Sequence, residues 1–257
     1  MDLIQLDPIK LVISLGLIVV AIGLSATQKL GLSWSIARST IQTIVQLLVV
    51  GYFLAAAFEF KNPWAVLLVV AVMLTIAATV ARNRVNQRIP QILPVVWLSL
   101  LISTTLTLVY INLLVLQPRP WYEPQYFIPL AGILLGNAMN GAAIALERLT
   151  SSLNSNRLEI ETHLSLGATP QQAVALYRKE AIKAAMIPNL NTMLVVGVVT
   201  LPGTFTGQLL SGVYPLDAAL YQMLILFIQL FATLITTFLV TQGISRQVFN
   251  WAEQLKI

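Results

Sequence analysis

Seven runs of eighteen or more mostly apolar residues fill most of this chain, at roughly 9–27, 40–58, 64–81, 93–115, 127–146, 188–211 and 216–241. About 20 consecutive apolar residues cross the hydrocarbon of a bilayer as a helix. Only helices and closed barrels satisfy every backbone polar group there, and unbroken runs of this length are helical. The pattern predicts an all-α membrane protein with about seven transmembrane helices. Composition agrees, since 57% of the 257 residues are hydrophobic and 10% are charged, against about 25% charged in a soluble domain. The opening Met1-Asp2-Leu3-Ile4-Gln5-Leu6-Asp7 is acidic, whereas a cleaved signal begins with a basic region. The run that follows also outlasts a signal's apolar core, so it is read as a span. The sixth run is the least regular, because Gly197, Pro202, Gly203 and Gly207 interrupt it.

Alternating the connections between two sides gathers twelve of the fifteen basic residues on one side. They are Lys29, Arg38, Arg82, Arg84, Arg88, Arg148, Arg157, Arg178, Lys179, Lys183, Arg246 and Lys256; Lys10, Lys61 and Arg119 fall on the other. Cytoplasmic loops carry the basic excess, which predicts an N-terminus outside and a cytoplasmic C-terminus. The acidic residues split evenly, so the net charge of +5 reflects topology rather than a nucleic-acid footprint. The expected partner is membrane lipid and not nucleic acid. With no cysteine and a single histidine, thiolate sites and histidine clusters are excluded, and no cofactor is expected. The whole of 1–257 reads as a single transmembrane domain.

One long polar connection, 147–187, falls on the cytoplasmic side between spans five and six. Asn156 followed by Glu159 reads as an N-cap with its partner, and Gly167 as the stop of a short helix, 157–166. Thr169-Pro170-Gln171-Gln172 then opens a second helix, with a Thr cap, Pro at the first position and Gln at the third. That helix is expected to run until Pro188. Two capped helices joined by Gly167-Ala168-Thr169 make a stiff elbow.

Several polar side chains lie within the apolar runs, where they are costly unless they face protein or water. Arg38, Gln42 and Gln46 recur every four residues and share one helix face. The fifth run carries Gly132 and Gly136 four apart, then Asn137, Asn140 and Gly141. In the sixth, Asn191 precedes the break, and Thr206 and Gln208 follow it. Ser99, Ser103 and Thr107 mark the fourth run, while Gln222, Gln229, Thr233 and Thr236 mark the seventh; both stripes read as packing. Interhelical hydrogen bonding and small-residue packing explain all of these. A translocation path explains Asn137, Asn140, Asn191, Thr206, Gln208, Gln42 and Gln46 equally well.

Several chemistries are missing. No carboxylate lies deep in a run, which weakens a proton- or sodium-driven carrier. There is no GxxxxGK[ST] loop, so the chain lacks its own ATPase motif. His163, in the elbow, has no nucleophile near it in sequence. No catalytic residue is expected, and the chain reads as a non-enzyme.

The elbow reads Glu159-Ile160-Glu161-Thr162-His163-Leu164-Ser165-Leu166-Gly167-Ala168-Thr169-Pro170. It resembles the coupling segment of ABC importer-type permeases, a Glu followed at fixed spacing by Gly, with Thr162-His163 in place of two Ala. Gly136-Asn137-x-Met139, Leu166-Gly167-Ala168-Thr169, Ile187-Pro188 and Leu201-Pro202-Gly203-x-x-Thr206-Gly207-Gln208 follow in order, then Gly212 and Tyr221-Gln222. With Arg38-Ser39-x-x-Gln42 near the start, the chain from about Ala37 to Gln222 resembles the FetB-type family of iron-export permeases. That family also includes the plant aluminium-tolerance half-transporter permease. The resemblance implies the permease subunit of an ABC transporter in the bacterial inner (plasma) membrane. It would act as a homodimer with a separate cytoplasmic P-loop ATPase and export a metal ion such as iron. It places the ATPase-docking contacts at Glu161, His163 and Gly167. A motor-free channel, carrier or receptor is the alternative, and it leaves the doubly capped elbow unexplained.

Overall fold

The computed structural model describes residues 8–59, 62–84, 92–250 and 254–255. Among these, ten α-helices and one π-helical turn account for nearly all of the regular structure. Arg88, Lys61 and Lys256, which entered the loop count, lie outside the described residues. The chain divides into two compact units, Met1–Lys61 with Leu210–Gly212, and Asn62–Leu209 with Val213–Ile257.

The first unit is a helical hairpin of α1 (Pro8–Thr27) and α2 (Ser33–Glu59). Its turn needs left-handed backbone, which Lys29 (φ 52°) and Gly31 (φ 71°) supply. The Ser33 hydroxyl donates to the Ser25 hydroxyl at 3.3 Å and pins the two helices at that turn. No residue of the α2 apolar span Ser33–Ala55 is buried, while Ile36, Ala37, Thr40 and Ile44 are half-buried.

The second unit is a bundle of α3 (Pro63–Asn83), α4 (Ile92–Tyr110), α5 (Pro124–Ser155), α8 (Ala175–Val195) and α10 (Pro215–Gln247). A π-helical turn, Ile111–Leu116, extends α4. Leu100, Leu134, Leu146, Leu149, Val240 and Ile244 are wholly buried in its core. Two glycines set the closest approaches. A Cβ on Gly141 of α5 would sit 2.4 Å from Thr233 Cγ2 of α10, and one on Gly243 of α10 would sit 2.5 Å from Val95 Cγ1 of α4. The polar stripes of the fourth and seventh runs meet here. Ser103 and Thr236, both fully buried, hydrogen-bond at 2.5 Å between α4 and α10.

Among the described residues, five helices are long and apolar enough to cross a membrane, the spans Ser33–Ala55, Pro63–Asn83, Ile92–Leu116, Pro124–Ser155 and Pro215–Gln247. The expected first span corresponds to α1, whose apolar stretch, Val12–Thr27, is shorter. The expected sixth span is not one helix. It comprises the end of α8, an irregular turn, and the short α9 (Gly203–Leu210).

The expected stop at Pro188 is not observed either, because α8 continues through it to Val195. Proline removes one amide hydrogen and tends to kink a helix rather than end it when neighbours hold both sides. Here Thr192 Oγ1 donates to the Pro188 carbonyl at 2.9 Å just beyond the ring.

Helices α5 and α10 have 32 and 33 residues, about 48–50 Å at 1.5 Å per residue. Hydrocarbon about 30 Å thick cannot contain them. The elbow helices α6 (Arg157–Ser165) and α7 (Pro170–Ala173) follow the C-terminal end of α5.

Candidate functional site

The elbow is built by local chemistry at both of its turns. At Gly167, φ is 90°, a conformation that L side chains rarely adopt. The Gly167 amide donates to the Leu164 carbonyl and the Ala168 amide to the His163 carbonyl, each at 3.0 Å. These two bonds form the Schellman stop expected of a C′ glycine. Thr169 and Gln172 then close a reciprocal capping box, amide to side chain at 2.9 Å and 3.3 Å. The second elbow helix, expected to run on from Pro170, breaks at Val174 into α7 and α8, and Asn156 also departs from expectation. It accepts no amide at the head of α6, and its Nδ2 donates back to the Ser152 carbonyl at 2.8 Å. Because α5 runs on to Ser155, a single residue separates the two helices and its side chain serves the first.

One side of α6 is anchored and the other is bare. Ile160 is wholly buried, in one cluster with Leu149 and Leu153 of α5 and Tyr177 of α8. Leu158 and Leu166 are each 80% exposed. Around them lie Glu161, in an ion pair with Arg157 at 2.9 Å, and His163, 3.9 Å from Glu159. Glu161 and His163, two residues apart, point to different sides of α6, each paired one turn back along the helix, and Leu158 and Leu166 are two exposed leucines that family spacing did not single out. Their signal was available, since an amphipathic helix of nine residues has no reason to place leucine on its wet side.

Beneath the elbow, Tyr177 is buried. Burial first, then its hydrogen bond to Glu159 and the charges of Glu159 and Glu180, push its phenol up to about 12. The neighbouring Arg178 donates from Nη1 to Gln242 Oε1 and ties α8 to α10. Arg157 Nη2 reaches the Leu255 carbonyl at 3.4 Å, so the chain's last described residue also leans on α6.

The expected path residues are distributed over several elements. Asn137 (half-buried) and Asn140 (exposed) lie on the face of α5 turned away from the core. Asn137 Nδ2 donates to the Ile133 carbonyl of its own helix at 3.0 Å. Gly136 lies on that same open face, with nothing within 4 Å of an added Cβ. Of the expected Gly132–Gly136 pair only Gly132 packs closely, an added Cβ meeting Met73 Cε at 3.1 Å, and the tightest approach on α5 falls at Gly141. Asn191 is exposed near the end of α8, and Gln42 and Gln46 are exposed on α2 of the other unit.

At the break the backbone turns tightly. The Val195 carbonyl accepts from Val199 at 2.9 Å and Thr200 at 3.2 Å, while the Gly197 amide, at φ 83°, donates to the Thr200 carbonyl at 2.9 Å. Pro202 then heads α9, where its carbonyl receives both the amide and the hydroxyl of Thr206. Thr206 and Gln208 are half-buried there. A contact the spacing did not suggest holds α9 in place, the Thr204 hydroxyl donating to Gln222 Oε1 of α10 at 2.5 Å. A cavity of about 310 Å³, lined by Gly197, Pro202, Phe205, Gln222 and Met223, lies between the break and α10. Among the described residues no group of three His, Cys, Asp or Glu side chains could hold a metal.

The profile of the uncharacterised protein family UPF0014 matches residues 8–249. The chain is 51% identical to the UPF0014 membrane protein slr1647 of Synechocystis over 99% of its own length and 98% of that protein's. It is 32% identical to the probable iron export permease protein FetB of Escherichia coli, covering 96% and 94% of the two chains. It is 30% identical to the protein ALUMINUM SENSITIVE 3 of Arabidopsis thaliana, covering 96% and 89%. No solved structure matches it. A match along nearly the whole chain, on a fold of long apolar helices with a capped elbow, makes this chain a membrane protein of the UPF0014 family, to which the FetB permease is also similar.

Proposed function

We propose that this protein is the permease subunit of an ABC transporter, driven by a separate P-loop ATPase that docks on the elbow. The carrying observation is the two-sided α6. It is stopped by a Schellman turn at Gly167, locked to the bundle by Ile160, and offers Leu158, Glu161, His163 and Leu166 to a partner. A chain without an ATPase motif needs a stiff external lever to receive motion, and a channel without a motor has no use for one. The long helices carry Arg148, Arg178, Lys179 and Arg246 toward their elbow ends, which supports placing that end in the cytoplasm. With α1 and the broken sixth run counted as crossings, the topology has seven spans, with the N-terminus outside and the C-terminus inside a bacterial plasma membrane. All of 1–257 then forms one permease domain.

On this reading the break with Thr206 and Gln208, the α5 face with Asn137 and Asn140, Asn191, and the α2 glutamines Gln42 and Gln46 border the route between two copies of the chain. Such polar faces require protein or water against them in a bilayer. The substrate class taken over from the FetB permease is a metal ion such as iron, moved outward. The test is purification from the native host in mild detergent. A stoichiometric P-loop ATPase whose hydrolysis responds to iron supports the proposal, and recovery of the permease alone after crosslinking overturns it. Gly167→Val forces a β-branched residue into φ 90°, so it is expected to abolish transport and coupling while leaving membrane insertion intact. Wild-type transport in that variant removes the docking role of α6.

A further inference from the structure

A groove in the second unit has a chemistry that neither coupling nor metal passage uses. It lies between α3 and α4, encloses about 330 Å³, and is walled by apolar and aromatic side chains, among them Leu101, Trp97, Trp121 and Phe127. None of its lining residues is charged. Two of the residues that line it each hold a buried side-chain oxygen without a hydrogen-bond partner, Thr104 Oγ1 and Asn112 Oδ1. Their residues are 2% and 6% exposed. Buried polar atoms are nearly always paired, so two orphans in one groove indicate that something supplies the missing partners.

The orientation of Asn112 specifies what is missing. Its Nδ2 already donates to the Leu108 carbonyl at 2.9 Å, which leaves the side-chain oxygen as a pure acceptor. Asn112 also lies in the π-helical turn Ile111–Leu116, a local departure that recurs at functional sites. Trp97 is already engaged, its Nε1 donating to Thr75 Oγ1 at 3.2 Å, so its ring serves as wall rather than donor. Trp121 meets Phe127 edge to face at 6.2 Å, and both rings line the groove together with Asn112. From Trp97 to Leu113 the groove follows sixteen residues of α4, about 24 Å of helical rise.

An apolar trough with aromatic walls, an unmet acceptor and a hydroxyl suits a long, uncharged, hydroxyl-bearing amphiphile. We propose that this groove binds a neutral single-chain lipid of the monoacylglycerol type. A head hydroxyl donates to Asn112 Oδ1, the chain lies along α4 over Leu101 and Trp97, and Thr104 holds a second oxygen. Anionic lipids are disfavoured because no cationic side chain lines the groove. The inference rests on the chain being a membrane protein and is independent of the ATPase reading.

The test uses the full-length protein in phosphatidylcholine nanodiscs with a photoreactive monoacylglycerol, followed by peptide mapping. Labelling is expected on peptides of α3 and α4 around Val70, Leu101 and Leu113. Excess unlabelled monoacylglycerol should compete, and the matching fatty-acid anion should not. Asn112→Leu removes the acceptor at similar size and should lower site labelling about tenfold, the effect of one lost hydrogen bond. Thr104→Val, a near-isosteric change on the same wall, gives a smaller fall and serves if Asn112→Leu does not fold. Labelling spread evenly over exposed apolar helices, equal competition by the anion, or unchanged labelling in both variants overturns the proposal. So does a crosslink showing this groove filled by α2 or by a second copy of the chain.

Discussion

Two leucines and an isoleucine on α6 separate a structural role from a docking role. Ile160 is wholly buried, whereas Leu158 and Leu166 are 80% exposed. Ile160→Ala therefore leaves a cavity under the elbow and should cost about 2–5 kcal/mol of stability. Leu158→Ala and Leu166→Ala remove side chains that touch mostly water, so each should change the melting transition by no more than about 0.5 kcal/mol. If an ATPase covers these leucines, it recovers most of the about 1.5–3 kcal/mol available from burying a leucine. Because alanine keeps part of that surface, each truncation should weaken association by about 1–2 kcal/mol, roughly tenfold. The two positions are eight residues apart, about 12 Å along the helix, far enough for their effects to add. The double variant should then bind about a hundredfold more weakly while melting like wild type. The assay is titration of the purified ATPase onto permease nanodiscs, with thermal melts of the same samples. A double variant that binds within about twofold of wild type refutes the argument, because no interface of this kind can cover α6 and be indifferent to both leucines.

The remaining predictions address the bundle and the caps. Gly141→Ala should destabilise by about 1–3 kcal/mol, since its Cβ meets Thr233 Cγ2 at 2.4 Å and overpacking costs that much; Gly136→Ala, in open space, should leave the same thermal melt unchanged. Thr169→Ala deletes a cap worth about 1 kcal/mol and should raise exchange of the Gln172, Ala173 and Val174 amides without altering exchange in α5. Tyr177, with its phenol raised from 10 to about 12, favours the fold in its neutral form. That contribution is complete below pH 10 and is lost as pH rises through 12, so wild type should lose stability across this window more steeply than Tyr177→Phe in melts at stepped pH.

Much of the architecture was legible because its causes are local. The left-handed requirement at Gly167 and the Thr169–Gln172 box each depend on residues a few positions apart, and both are found where spacing put them. What was not legible depends on partners distant in sequence. Gly132, Gly136 and Gly141 look alike as a string, and only the direction of α5's buried face reveals that Gly141 meets α10 while Gly136 meets nothing. Ser103 and Thr236 both read as packing, yet their 133-residue separation hid that they pack against each other. Gln222 was visible as a residue, and its contact with Thr204 was not. Asn156 was misread because the capping rule presumes a helix that starts afresh, and α5 runs to within one residue of α6.

The same contacts determine where the protein can yield. Ile160 of α6, Leu149 and Leu153 of α5, Tyr177 and Ala181 of α8, and Val240 and Ile244 of α10 belong to one continuous buried cluster. Close-packed interiors compress little and transmit strain, so a push on α6 reaches three long helices together rather than bending one of them. At 196–202 that stiffness ends. Gly197, Val198, Val199, Thr200 and Leu201 are all exposed there, and the hydrogen bonds converge on single carbonyls instead of forming a helical ladder. Beyond the break, Thr204 still tethers α9 to α10 through Gln222. A displacement that starts at the elbow and travels through α8 and α10 therefore reaches α9 by two routes, a yielding one along the chain and a held one across Gln222. Any difference between them must be absorbed in the turn, where the 310 Å³ cavity leaves room for it.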